Sequence, residues 1–188
     1  MLWAIPVGIL VGLAARGSLG NLSAFKFRWA PLAIAGLLVQ VVLFTSIGDS
    51  IAGGAAPAIY VASTAAVFAA VLRNLRMTGM PIVALGSLSN LAAISANGGA
   101  MPADPGALAM AGLDGAGSHT NSVILENPAL QPLTDIYALP AWLPLANVFS
   151  VGDVLMVLGA FLVLHAATGS RLFAPGRSPG AEWTRVGT

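Results

Sequence analysis

Cysteine is absent from the 188 residues. Its absence excludes disulfides, iron–sulfur clusters, thiolate zinc sites and cysteine nucleophiles together. Charge is almost as scarce: Asp, Glu, Lys and Arg make up 8% of the chain, against about 25% in soluble domains. A water-soluble protein so poor in charge could not cover its surface with polar groups. The net charge of +1 gives no bulk electrostatic support to a nucleic-acid partner. The two histidines, His119 and His165, form no His-x-x-x-His pair, so no metal and no cofactor are expected.

What is present is apolar: 57% of the residues are hydrophobic and the mean hydropathy is +0.86. The pattern predicts an all-α integral membrane bundle of five transmembrane helices, at about residues 2–15, 29–47, 57–72, 80–97 and 148–167. Residues 1–169 are expected to form a single membrane domain, and the Pro- and Gly-rich tail 170–188 a disordered extension. The first span lacks a basic stretch ahead of it and a small-x-small cleavage site, so it is expected to be a retained helix. Gly48–Ala56 reads as a Gly-rich turn before Pro57 opens the third helix. Ala58, Ala62, Ala66 and Ala70 recur every four residues, a strip that lets another helix approach and a candidate docking face for further membrane-protein subunits. An Ala-rich chain also makes such strips by chance.

Charge gives the orientation. On the five-span pattern all eight basic residues (Arg16, Lys26, Arg28, Arg73, Arg76, Arg171, Arg177, Arg185) fall on one side. Six of the seven acids (Asp49, Asp104, Asp114, Glu126, Asp135, Asp153) fall on the other. The positive-inside rule then predicts an outside N-terminus and a cytoplasmic C-terminus. The strong preference for Arg over Lys, with abundant Ala and Gly, suggests a GC-rich bacterial genome and hence the bacterial plasma membrane.

The outer loop, residues 98–147, contains no Lys or Arg. Its apolar stretch Ile136–Ala146 is broken by Pro140 and Pro144, and is expected to lie on the membrane so that the loop folds over the outer face of the bundle. Polar residues in spans usually face protein or a water-filled cavity. A pocket is therefore expected from Gln40, Asn90, Asn97, Gly98, Gly99, Asn147, Ser150 and Asp153. Asp153 has two readings: a functional intramembrane acid, or an acid capping the start of the last helix. If the site is catalytic, Asp153, His119 and Asp135 are the candidates.

Two motifs carry a resemblance. Asn90…Ala96-Asn97-Gly98-Gly99-x-Met101-Pro102 and Asn147-Val148-Phe149-Ser150-Val151-Gly152-Asp153 resemble a family of small bacterial five-span membrane proteins of unknown function. That resemblance implies the topology and no activity. More distantly, Gly86-Ser87-Leu88-Ser89-Asn90-Leu91-Ala92-Ala93 and Phe149-Ser150-Val151-Gly152-Asp153 resemble the two catalytic motifs of signal peptidase II. Ala93 stands where that family has its first catalytic aspartate, and a two-carboxylate mechanism needs both acids.

The function these features favour is a non-catalytic integral membrane protein with an outer-leaflet pocket for a lipid, a lipid-linked molecule or a partner helix. The alternatives are an accessory subunit of a larger membrane complex and a membrane-embedded hydrolase or transferase using Asp153. The expected partners are membrane lipid and other membrane subunits, with no nucleic acid.

Overall fold

The computed structural model describes residues 9–11, 13–14, 17–113 and 122–169. Most of the expected first span, Arg16, Asp114, His119 and the tail lie outside these residues.

The chain is mostly helical. Residues 9–11 and 13–14 are helical, and a 3-10 turn occupies Leu19–Ala24. Helix α1 spans Ala30–Leu43. Helix α2, Ser46–Ala52, passes through a 3-10 turn at Gly53–Ala55 into α3, Ala56–Leu72. Helix α4 covers Met80–Ala96, and after the loop α6 covers Val151–Ala167. The loop itself contains a short helix α5, Pro105–Ala111.

The turn expected at Gly48–Ala56 is helical. The chain reverses earlier, at Thr45, whose hydroxyl donates to the Val42 carbonyl at 2.6 Å and accepts from the Gly48 N–H at 3.2 Å. A Cβ on Gly48 would strike the backbone carbonyls of Val42 and Leu43, so glycine is what permits the reversal there. As a result Ser46–Leu72 is one helical run of 27 residues, apolar enough on average and long enough to cross a membrane. The other apolar helices are shorter, with 14 residues in α1 and 17 in each of α4 and α6. Seventeen residues rise about 25 Å, against a hydrocarbon core of about 30 Å.

The helices pair by close backbone approach. α1 packs on α3 where Gly36 lies against Ser63 and Val67. α4 and α6 run antiparallel, with Gly79 against Gly159 near one end and Gly86 against Gly152 further along. Two apolar clusters fill the interior. One, at the loop end, joins Leu43, Tyr60, Ala93, Ile94 and Met101. The other, at the turn end, joins Val71, Met77, Met80, Ala84 and Val163. Helix α1 exposes Ile34, Leu37, Leu38, Val41 and Val42 along one stripe and Leu32 and Val39 on another side, so it is apolar on several faces, as a helix in lipid or in a protein core is.

The described part of the loop forms a layer over one end of the bundle. Strand β1 (Met101–Pro102) pairs in parallel with β2 (Ser122–Val123), and β3 (Tyr137–Ala138) pairs antiparallel with β4 (Val148–Phe149). Helix α5, capped by the Asp104 carboxylate accepting from the Ala107 N–H at 2.9 Å, closes an apolar cluster of Ala103, Ala107, Ala111 and Val148. The stretch expected to lie on the membrane contributes β3 and then a turn with Trp142 and Leu145 exposed. Tyr137 stacks on Phe149 at 5.6 Å.

Candidate functional site

Most of the expected pocket residues make polar contacts where α4, α6 and the loop come together. At the start of α6, Ser150 is the N-cap and Asp153 the third helical residue. The Ser150 hydroxyl accepts from the Asp153 N–H at 3.1 Å, and the Asp153 carboxylate accepts from the Ser150 N–H at 2.9 Å. This reciprocal capping box satisfies two backbone donors that a helix start leaves without partners. Asp153 thus has the capping role that was one of its two readings.

The same carboxylate reaches across to α4. Asn90 Nδ2 donates to Asp153 Oδ1 at 2.9 Å. The Ser150 hydroxyl lies 3.0 Å from both Asn90 Oδ1 and Asp153 Oδ2. It has one proton, so it donates to one of these at a time. Ser150 is fully buried. The two stretches compared above with signal peptidase II are therefore face to face. Ala93, also fully buried, belongs to the apolar cluster beneath.

Asn97 fastens the loop one turn or more above. Its Nδ2 donates to the carbonyls of Ala93 and Ala129, both at 2.8 Å, and its Oδ1 accepts from the Ala129 N–H at 2.8 Å. An amide paired in both directions with the backbone of one residue is a clamp. Gly98 and Gly99 follow with φ of 70° and 86°, the left-handed region that favours glycine. A Cβ on Gly99 would strike Pro57, so this turn also seats the loop on the start of α3.

The remaining expected residues are elsewhere. Gln40 donates to Thr64 Oγ1 at 3.3 Å and ties α1 to α3. The exposed Asn147 accepts from its own neighbour, the Val148 N–H, at 3.0 Å. Along the Ala strip, Ala58 and Ala62 are exposed, Ala66 is half-buried and Ala70 is fully buried, so the strip passes from an open end to a covered one. His165 is buried in α6 and stacks on Phe161 at 5.9 Å.

Asp135 is the residue the structure adds weight to. Its backbone is pinned: its N–H donates to the Pro102 carbonyl at 2.9 Å, and its carbonyl accepts from the Asp104 N–H at 3.0 Å. The preceding 3-10 turn, Gln131–Leu133, packs against both α4 and α6. This leaves the Asp135 side chain 6% exposed, with Oδ1 buried and without a hydrogen-bond partner among the described residues. Burial, and secondarily the nearby Asp153 charge, push its carboxyl up from an ordinary 3.8 to about 7. A second carboxyl group therefore stands near Asp153, supplied by the loop and not by the helix position of Ala93. No sequence spacing signals this, because the backbone bridge between Ala103 and Asp135 joins segments far apart in the chain.

A family model described as a family of unknown function (DUF5317) matches residues 24–165. No curated protein and no solved structure matches the chain.

Proposed function

The chain belongs to the DUF5317 family, and from that premise we propose that it is a multi-pass protein of the bacterial plasma membrane whose outer face holds a lipid or lipid-linked molecule. The proposed orientation has the N-terminus outside and the C-terminus in the cytoplasm, with five spans. Three features support it. Ser46–Leu72 is long and apolar enough to cross. Helix α1 exposes large apolar side chains on several faces. Lys26, Arg28, Arg73 and Arg76 lie at the turn end, while Asp104, Glu126, Asp135 and Asp153 lie at the loop end.

The observation that carries the binding role is Asp135. Buried polar atoms nearly always have partners, and one without a partner calls for an explanation. Raised to about 7, this carboxyl keeps a protonated form at near-neutral pH. In that form it can donate to a carbonyl or phosphate oxygen of a ligand. A groove of about 410 Å³ between α1 and α2–α3, lined by Leu38, Val42, Ile51 and Ile59 among others, suits an acyl chain at the same end of the bundle. Leu43 borders the groove and belongs to the apolar cluster against which Leu133 packs.

A second reading, acid–base chemistry on the bound molecule, is favoured by the pairing itself. Asp153 is held by Asn90 and Ser150, while Asp135 is desolvated. Two carboxyl groups in such different environments can divide the roles of base and acid. Mass spectrometry of lipids extracted from gently purified protein tests both. Wild type should retain a lipid species that Asp135→Ala loses. Equal retention by the two removes the binding reading. If the site is catalytic, Asp135→Asn should hold a species of different mass, the unprocessed substrate; the same species in both removes the catalytic reading.

A further inference from the structure

Arg28, Arg73 and Arg76 border one niche of about 240 Å³ at the end of the bundle away from the loop. The niche is built on a buried polar residue. Asn74, 2% exposed, donates through Nδ2 to the Arg28 carbonyl at 2.8 Å and the Ala70 carbonyl at 2.7 Å. Its Oδ1 accepts from the Arg28 N–H at 2.9 Å. These bonds tie the segment before α1 to the turn after α3, so Arg28 is brought beside Arg73 and Arg76 by a fixed backbone. Leu72 and Leu75 give the niche an exposed apolar edge, and Trp29, half exposed, follows Arg28 in the chain.

We propose that this niche binds the phosphate of an anionic phospholipid in the cytoplasmic leaflet. Guanidinium groups pair with phosphate oxygens in a two-pronged geometry. Basic pockets on the cytoplasmic side of a membrane bundle are suited to anionic headgroups. The apolar edge favours a lipid over free phosphate, because acyl chains begin within a few ångströms of the headgroup and would cover Leu72 and Leu75. Trp29 has the amphipathic character of residues that settle at the headgroup level. The acids Asp104, Glu126, Asp135 and Asp153 are at the opposite end. The inference rests on the membrane orientation proposed above and not on Asp135.

Native mass spectrometry of the full chain released from nanodiscs of mixed phosphatidylcholine and phosphatidylglycerol tests it. Wild type should retain phosphatidylglycerol in preference to phosphatidylcholine. Arg73→Gln/Arg76→Gln should lower that retention about thirty-fold, the effect of removing two interfacial cations. Lys26→Gln, an exposed cation that does not line the niche, should leave it within about three-fold. Equal retention of the two lipids, equal loss from Lys26→Gln, or full displacement by inorganic phosphate overturns the proposal. Should the Gln pair fail to insert, Arg73→Lys/Arg76→Lys keeps the charge and removes the fork; retention should fall about five-fold, and unchanged retention is equally fatal. A C-terminal reporter found outside sinks the orientation, whereas a correctly inserted chain that holds no anionic lipid sinks this inference alone.

Discussion

Gly86 and Gly152 lie so close across the α4–α6 interface that a methyl group on either would strike the other's carbonyl. Their contact is what brings Asn90 within reach of Asp153. A Cβ on Gly152 would also strike Asn90 Oδ1. Gly152→Ala and Gly86→Ala should therefore force the helices apart and lower stability by about 1–3 kcal/mol, the range for overpacking. Gly54→Ala is the control, since nothing lies near that position and its φ is ordinary. It should be neutral or stabilise by about 0.5 kcal/mol. Thermal unfolding in detergent compares the three; a Gly152→Ala protein as stable as Gly54→Ala removes the close-approach argument.

Part of this junction is legible in the chain. Asn90 and Asp153 stand out because each is a polar side chain within or beside an apolar run. Ser150 three residues before Asp153 has the spacing of a helix cap, and Asn97-Gly98-Gly99 has the composition of a helix stop. What these residues bind is less legible. Their polarity suits a pocket, and within the chain Asn97 clamps the Ala129 backbone while Gln40 ties α1 to α3. Polarity within a span signals that a partner exists and not whether it is a ligand or the chain itself. The Gly48–Ala56 stretch misleads for a related reason. Glycine suits a turn by local preference, but here the reversal falls earlier, at Thr45, with Gly48 packed on the carbonyls of Val42 and Leu43 just before it. Asp135 carries no local signal at all, because its burial depends on a backbone bridge to Ala103.

Asn90→Ala should leave the Asp153 carboxylate and the Ser150 hydroxyl each short of a partner. Hydrogen bonds to charged groups contribute about 1.5–3 kcal/mol, and a loss of that size is expected in denaturant unfolding. Asn90→Asp should be worse, because it sets a second carboxylate against Asp153. If Asn90→Asp matches wild type at neutral pH, the pairing contributes nothing.

Asn97→Ala should detach the middle of the loop while leaving the helix pair intact. It removes both bonds to Ala129 and the bond to Ala93. Amide hydrogen exchange should quicken most around residues 126–133, with α4 and α6 little changed. An exchange map identical to that of wild type would mean that the β-bridges alone hold the loop.

Asp135 should make stability fall as pH rises. Its carboxyl in the folded protein is raised from 3.8 to about 7 by burial and then by Asp153. Below pH 3.8 both folded and unfolded chains hold the proton, and the group has no effect on their balance. Between 3.8 and about 7 the unfolded chain has released the proton while the folded chain keeps it, so each step up in pH favours unfolding. Above about 7 the folded form ionises too and the loss levels off. The gap corresponds to roughly 4 kcal/mol over that window. Asp135→Asn should abolish this share of the pH dependence and be more stable than wild type at pH about 8. Asp153→Asn should lower the Asp135 titration only in part, since burial is the larger cause. Carboxyl carbon NMR of labelled aspartate, read beside melting curves across the same pH range, separates the two. A wild-type protein whose stability rises from pH 4 to 7 by as much as Asp135→Asn does would show that this carboxyl is not the group that titrates there.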